Sequence, residues 1–291
     1  MLWLLLSLLS AASESAKDAF SKKSLKRFDE YTAAWALRFF SFAFIIPVLI
    51  VAKIPHIGSG FWAALLVSGI LNIVSTILYM KAIKSSDLSL AVPMIAFTPL
   101  FLLITSPLML GEFPTAPGIG GVVLIVAGSY ALNASERSKG LFAPFKALLR
   151  EKGPRLMLGV ALIWSITSNI DKIGVQNSSP IFWAAAMNGS LAIILTPIAL
   201  YKARKAPKLK TAGLTANLKS LAPIGLSGAM MHIFQFTAIS MAFVAYVNAI
   251  KRTSILMSVL TGHFLFSEKR ALERLTGAAI MVAGVILIAV S

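Results

Sequence analysis

The chain has no cysteine, only three histidines, and only 11 acidic residues in 291. The first absence removes disulfide frameworks, thiolate metal sites and cysteine nucleophiles. The histidines His56, His232 and His263 are too scattered for a zinc site, so no metal and no cofactor is expected. Phosphate loops are missing too: the Gly118-x-Gly120 run is not followed by Gly-Lys-Ser/Thr, which excludes an ATP-binding loop. No nucleophile, base and metal constellation supports catalysis. Charge of either sign is scarce at 13%, against 57% hydrophobic residues, and so few polar groups cannot cover a soluble core of this size.

What is present is a series of long apolar runs. They read as ten spans: Leu2 to Ser21, Tyr31 to Ala52, Gly60 to Met80, Leu88 to Leu110, Ala116 to Leu132, Leu156 to Val175, Ile181 to Tyr201, Leu221 to Met241, Val244 to Phe266 and Ala271 to Val290. Each is about the 20 residues that a bilayer crossing needs. The 27 lysines and arginines fall mostly in alternate gaps. The first gap has Lys22, Lys23, Lys26 and Arg27, the third Lys81 and Lys84, and the seventh Lys202, Arg204, Lys205, Lys208, Lys210 and Lys219. The fifth and ninth are basic as well, whereas the even gaps hold only Lys53. Basic loop residues stay on the cytoplasmic side, so the pattern predicts a multi-pass protein of the cell membrane with both termini outside. The net charge of +16 is then a topology signal, and nucleic acid is not an expected partner. Met1 to Ser13 lacks the basic start of a secretory signal and reads as a retained first span.

The two halves look like diverged copies. A shift of 156 residues places Glu112 on Glu268, Gly121 on Gly277, and Val126-Ala127-Gly128 on Val282-Ala283-Gly284; a shift of 150 places Pro47 on Pro197. Five spans per copy is an odd number, so the second copy must lie upside down relative to the first. The expected fold is therefore an all-α integral membrane protein of ten transmembrane helices, arranged as two inverted five-helix repeats, N-out/C-out. The repeats occupy residues 1–135 and 156–291, with a cytoplasmic linker over 136–155. Inverted repeats of this kind let a carrier exchange two access states.

The stretch AVPMIAFTPLFLLITSPLMLGEFPTAPGIGGVVLIVAG (Ala91 to Gly128) and its second-half partner ending LFSEKRALERLTGAAIMVAG (Leu265 to Gly284) resemble the EamA repeat of the drug/metabolite transporter superfamily. The likeness covers nearly the whole chain. It implies a secondary transporter whose substrate could be an amino acid, drug, sugar, nucleotide sugar or phosphorylated metabolite. In the ninth span Asn248, Lys251 and Arg252, followed by TSILMSVLTGHFLF, are similar to a segment of the plastid phosphate translocators. That likeness implies that the Lys-Arg pair grips a phosphate or carboxylate. The fourth span lacks the basic residue those translocators place there, and Lys172 is the candidate substitute.

Charges inside spans need partners or water. In the first span Ser7, Ser10, Glu14, Lys17, Asp18 and Ser21 share one helical face, and the sixth span repeats the pattern with Ser165, Asn169, Lys172 and Gln176. Two such stripes suggest one aqueous cavity, although Lys17, Asp18, Asp171 and Lys172 could instead snorkel from span ends. Adjacent Lys251 and Arg252 repel one another in lipid and call for an anion or water opposite; the competing reading pairs them with Asp171 or Glu14. The 156-residue shift superposes Asn72 on Gly228, Thr76 on His232 and Tyr79 on Gln235, polar positions that line a cavity or bond helix to helix. Arg38 can pair with Glu14 or Asp18 or reach the interface, and snorkelling is the preferred reading. Pro47, Pro93, Pro99, Pro107 and Pro197 permit kinks, and the Gly121/Gly128 and Gly277/Gly284 pairs form packing grooves.

The expected substrate-binding set is thus Lys251, Arg252, Asn248, Lys172, Asn169, Asn72, Tyr79 and Gln235. Glu14, Asp18 and His232 are candidates for coupling to protons. The cargo is a small anionic or zwitterionic metabolite; the alternative is a proton-coupled exporter of cationic drugs, as in the related small multidrug resistance proteins with their first-span glutamate. The unit is either a monomer or a homodimer.

Overall fold

Apolar runs with neither β-branched alternation nor turn residues form helices, and the computed structural model describes ten long or medium ones over residues 1–52, 54–86, 88–131, 151–204, 214–258 and 275–291. They are α1 (Leu2–Ser24), α2 (Glu30–Val51), α3 (Phe61–Ser85), α4 (Phe97–Leu110), α5 (Ala116–Ala131), α6 (Lys152–Gln176), α7 (Pro180–Arg204), α8 (Leu214–Ile239), α9 (Val244–Lys251) and α10 (Leu275–Ala289). No strand occurs among the described residues. The expectations for most of the linker, for Lys53, and for His263 and Glu268 lie outside those residues.

Four helices are both long and apolar enough to cross a bilayer: Glu30–Val51, Phe61–Ser85, Lys152–Gln176 and Pro180–Lys202, with mean hydropathies from 1.3 to 2.1. At about 1.5 Å per residue each exceeds the ~30 Å hydrocarbon thickness. The burial pattern suits lipid rather than water. Ile50, Val51, Trp62, Leu108, Ile193 and Val290 are exposed on the outside, while serines, asparagines and charged side chains are buried within.

Local signals set the helix ends. Asp29 caps α2 by accepting hydrogen bonds from the Tyr31 and Thr32 backbone N–H groups at 2.9 and 3.1 Å. Gly111 ends α4 in the left-handed region at φ +66°, a conformation that disfavours any side chain.

Helix pairing reveals the repeat. The main contacts are α1 with α8, α3 with α6, α2 with α7, and α5 with α10. Exchanging α1–α5 with α6–α10 leaves that scheme unchanged. The equivalent helices run antiparallel where they meet. In α2 and α7, Trp35 bonds Thr196 while Arg38 bonds Asn188, so residue numbers rise on one helix as they fall on the other. In α5 and α10, Gly121 abuts Gly284 and Gly128 abuts Gly277. A Cβ on Gly121 would lie 2.7 Å from the Gly284 carbonyl oxygen, and one on Gly128 would lie 2.6 Å from that of Gly277. The glycine pairs therefore form the packing groove expected of them.

Among the described residues the first, third and seventh gaps collect at one end of the bundle. The Lys22 ammonium donates to the carbonyls of Ile83 and Ser86, Ser24 donates to that of Ser220, and Lys81 and Lys202 both stand over the Tyr31 ring. The even gaps collect at the other end, where the Gly58 N–H donates to the Asn177 carbonyl at 2.8 Å.

Two spans differ from the expected continuous helices. Leu88 to Leu110 is broken: a four-residue helix, Leu88–Ala91, passes into a 3-10 turn, Val92–Ala96, before α4 begins. Pro93 and Pro99 lack amide protons, so continuous α-helical bonding is not available there. The ninth span stops being helical at Lys251 and resumes at Ser254. With the 156-residue shift, the break at Arg252–Thr253 falls on Ala96–Phe97, where the 3-10 turn passes into α4, so the two halves interrupt a helix at neighbouring positions.

Candidate functional site

A polar cavity lies between the halves, and seven helices line it. Glu14 and Lys17 come from α1, Arg38 from α2, and Asn72, Thr76 and Tyr79 from α3. Trp164, Thr167, Ser168 and Asp171 come from α6, with Met187 from α7. Met231, His232, Gln235 and Phe236 of α8 and Asn248, Lys251 and Arg252 around the end of α9 complete the wall. The cavity encloses about 640 Å³ including its open mouth, a space that suits waters and a small polar molecule.

Charge is concentrated at one wall. The Glu14 carboxylate lies 3.4 Å from the Lys251 ammonium, 3.6 Å from that of Lys17 and 3.9 Å from an Arg252 Nη1. All four side chains are buried. Neither Glu14 oxygen nor Arg252 Nη1 has a well-aligned hydrogen bond among the described residues, so the cluster keeps hydrogen-bonding capacity in reserve. Lys251 donates to Gln235 Oε1 at 2.7 Å, and Arg252 Nε donates to the Asn248 carbonyl at 3.3 Å. The Trp164 ring faces three cations, with Lys17 Nζ at 5.6 Å, Lys251 Nζ at 5.9 Å and the Arg252 guanidinium carbon at 5.8 Å. The interrupted α9 is what sets Lys251 and Arg252 here, on backbone that leaves the helical ladder at that point.

A second charged centre surrounds Arg38. Its Nη2 donates to Thr76 Oγ1 at 2.5 Å, and its Nη1 lies 3.4 Å from both Asn188 Oδ1 and His232 Nε2. His232 Nδ1 lies 3.3 Å from Asn188 Nδ2. Arg38 is only 4% exposed, which corrects its reading as a snorkelling residue: its partners are side chains of α3, α7 and α8 inside the bundle. Asp171 is held by Ser68 Oγ at 2.7 Å and Trp183 Nε1 at 3.3 Å.

Of the expected binding residues, the structure brings Lys251, Arg252, Asn248, Asn72, Tyr79 and Gln235 to this one cavity, together with Glu14 and His232. Asp18 sits just behind it, accepting bonds from Tyr79 and Ser258 and lying 3.5 Å from Lys17 Nζ. Two residues are elsewhere. Asn169 accepts from Ser106 Oγ at 2.7 Å and donates to Thr105 Oγ1 at 3.0 Å, joining α6 to α4. Lys172 pairs with Glu112 and donates to the Ala242 carbonyl at 2.9 Å, tying the end of α6 to the start of α9. Sequence reasoning missed Thr167, Ser168 and the Arg38 centre. A signal for the last existed: the shift of 150 that aligns Pro47 with Pro197 also puts Arg38 on the polar Asn188.

Comparison with known proteins agrees with this architecture. The family model of the EamA-like transporter family matches residues 1–134 and 152–290, once in each half. A crystal structure of another protein superposes with a TM-score of 0.73, covering 99% of this chain and 96% of that one at 14% identity, a likeness of fold. A search of curated proteins found no match. The chain belongs to the EamA-like transporter family and is a multi-pass membrane transporter of the drug/metabolite type.

Proposed function

We propose that this transporter carries a small anionic or zwitterionic metabolite, such as an amino acid, organic acid or phosphorylated compound, as a secondary exporter or exchanger working by alternating access. The observation that carries this reading is the charge in and around the cavity wall: four cations, Lys17, Arg38, Lys251 and Arg252, against two wall carboxylates, Glu14 and Asp171, and a third, Asp18, just behind Lys17. Buried cations in excess of their counter-ions favour an anionic guest and repel a cationic one. Lys251 and Arg252, with Asn248 and Gln235 beside them, hold the acidic group, while Asn72 and Tyr79 contact the remainder.

The antiparallel contact of equivalent helices and the neighbouring breaks in the fourth and ninth spans support ten spans in two inverted repeats, with the basic end in the cytoplasm and both termini outside the cell membrane. Both halves contribute to a single cavity, so a monomer supplies a complete site.

Purified protein in liposomes should exchange labelled anions such as succinate or glycerol 3-phosphate across the membrane. Lys251→Ala should abolish that exchange; full exchange in this variant sinks the assignment. A second reading, proton-coupled export of cationic drugs, is favoured by one feature, the buried Glu14 on α1 facing the cavity. It requires cation-dependent proton release, and the three cations around Glu14 oppose it.

A further inference from the structure

Arg38 is a buried cation with no carboxylate in direct contact among the described residues; Asp171 acts on it only through space. Arg38 makes no ion pair within 4.0 Å among the described residues, in contrast to Lys17, Lys251 and Arg252, which surround Glu14. Its three partners, Thr76, Asn188 and His232, are not carboxylates, and two of the contacts are long at 3.4 Å. Its Nε has no hydrogen-bond partner at all among the described residues. A guanidinium offers five N–H donors in a planar fork that fits a carboxylate or phosphate edge with two parallel bonds. Leaving part of that fork unused inside a protein is unfavourable unless something else occupies it.

Arg38 lines the same cavity as Lys251 and Arg252 but belongs to a different wall, on α2 between α3, α7 and α8. Thr76 and Asn188 hold its Nη atoms, which fixes the direction of the fork and leaves Nε buried and without a partner among the described residues. We infer that Arg38 is a second anion anchor, so that the cargo carries two anionic groups: one at Lys251 and Arg252, the other at Arg38. This rests on the anion-carrier reading above and narrows it to dicarboxylates, phosphorylated carboxylic acids and acidic amino acids. Glu14 already neutralises part of the first cluster, and Asp171 offsets Arg38 through space without touching it, its carboxylate being held by Ser68 and Trp183.

The test is titration calorimetry on detergent-purified full chain with two ligand pairs that each differ by one anionic group: succinate against its monomethyl ester, and 3-phosphoglycerate against glycerol 3-phosphate. Wild-type protein should bind the doubly anionic member of at least one pair about tenfold tighter or more. Arg38→Gln should bring that ratio close to one with the weaker member almost unaffected. Because Arg38→Gln alters a buried position, Asn188→Asp provides the second variant. It is isosteric and sets a carboxylate where the amide oxygen now lies 3.4 Å from Nη1, so it should satisfy Arg38 internally and remove the same preference. A tenfold preference that persists in both variants overturns the inference, as does equal wild-type affinity for both members of each pair. In the latter case anion binding itself would stand, with loss of both members in Lys251→Ala. Absence of binding by every probe would instead sink the broader anion-carrier reading and this inference with it.

Discussion

Arg38 and Asn188 stand at equivalent positions of the two repeats, 150 residues apart, and they touch: Nη1 lies 3.4 Å from Oδ1. A residue can meet its own symmetry mate only on the axis relating the two copies. The neighbouring contacts obey the same relation, since Arg38 binds Thr76 and Asn188 faces His232, and those two are superposed by the 156-residue shift. Four side chains thus form a linked cluster around the axis relating the halves, three of them, Arg38, Thr76 and His232, lining the cavity. The charge is not symmetric, however. Lys251 and Arg252 fall on Ile95 and Ala96, which are buried and apolar. The scaffold is duplicated and this pair of buried cations is present in only one copy.

Glu14 lies between Lys17, Lys251 and Arg252, and on the anion-carrier proposal it competes there with the acidic group of the cargo. Replacing it by Gln removes the competing carboxylate while retaining its shape. Affinity for succinate should rise by about tenfold, equivalent to ~1.4 kcal/mol. The melting temperature of the unliganded protein should fall, because three buried cations lose their counter-ion. Calorimetry and a thermal melt read the two effects. Weaker anion binding together with loss of cation-dependent proton release would favour the multidrug exporter instead.

The α5–α10 crossing depends on having no side chain at its glycines. Gly121→Val would drive a Cβ to within 2.7 Å of the Gly284 carbonyl oxygen and force the helices apart, a cost of ~1–3 kcal/mol or more. Gly159→Ala, where an added Cβ meets nothing within 4 Å, is the matched control and should be neutral or slightly stabilising. Melting temperatures in detergent compare them. Equal stability of the two variants would mean that this crossing is not tightly packed.

These glycines were legible in the sequence because a helix crossing needs nothing but spacing. So were Glu14, Asn248, Lys251 and Arg252, whose burial in an apolar run is costly unless they share a polar site. The sixth span was harder. Its stripe of Ser165 and Asn169 faces α4, whereas Trp164, Thr167, Ser168 and Asp171, about a hundred degrees around the same helix, face the cavity. Both faces are polar at helical spacing, and only the neighbours decide which one is wet. Arg38 was misjudged for a related reason. Its long side chain reaches either the interface or the interior, and the partners that hold it inside lie 38, 150 and 194 residues away.

Lys172 is assigned a structural job by its partners. It pairs with Glu112, whose other oxygen accepts the Val244 N–H at 2.8 Å and so anchors the start of α9. Lys172→Met should lower stability by ~1–3 kcal/mol, since it leaves the buried Glu112 carboxylate without its counter-ion, and leave succinate affinity within about twofold. The informative comparison is melting temperature against calorimetric affinity. An unchanged melt with affinity lost tenfold would return Lys172 to the list of cargo ligands.

The absence of native cysteine makes the membrane orientation directly measurable, because any single introduced thiol is the only one present. Lys23 and Lys219 are exposed at the end where the basic gaps gather, and Ser59 and Ser240 are exposed at the other. Single cysteines at 23 and 219 should be shielded from a membrane-impermeant maleimide added to intact cells and react after permeabilisation. Cysteines at 59 and 240 should react in both conditions. The physical reason is that a translocated loop rich in Lys and Arg is disfavoured, so the basic end stays in the cytosol. Labelling of 23 and 219 from opposite faces would break the inverted arrangement, since the structure joins their neighbours Ser24 and Ser220 by a 2.7 Å hydrogen bond. Both sets reversed together would leave the fold intact and turn the cavity's basic end outward.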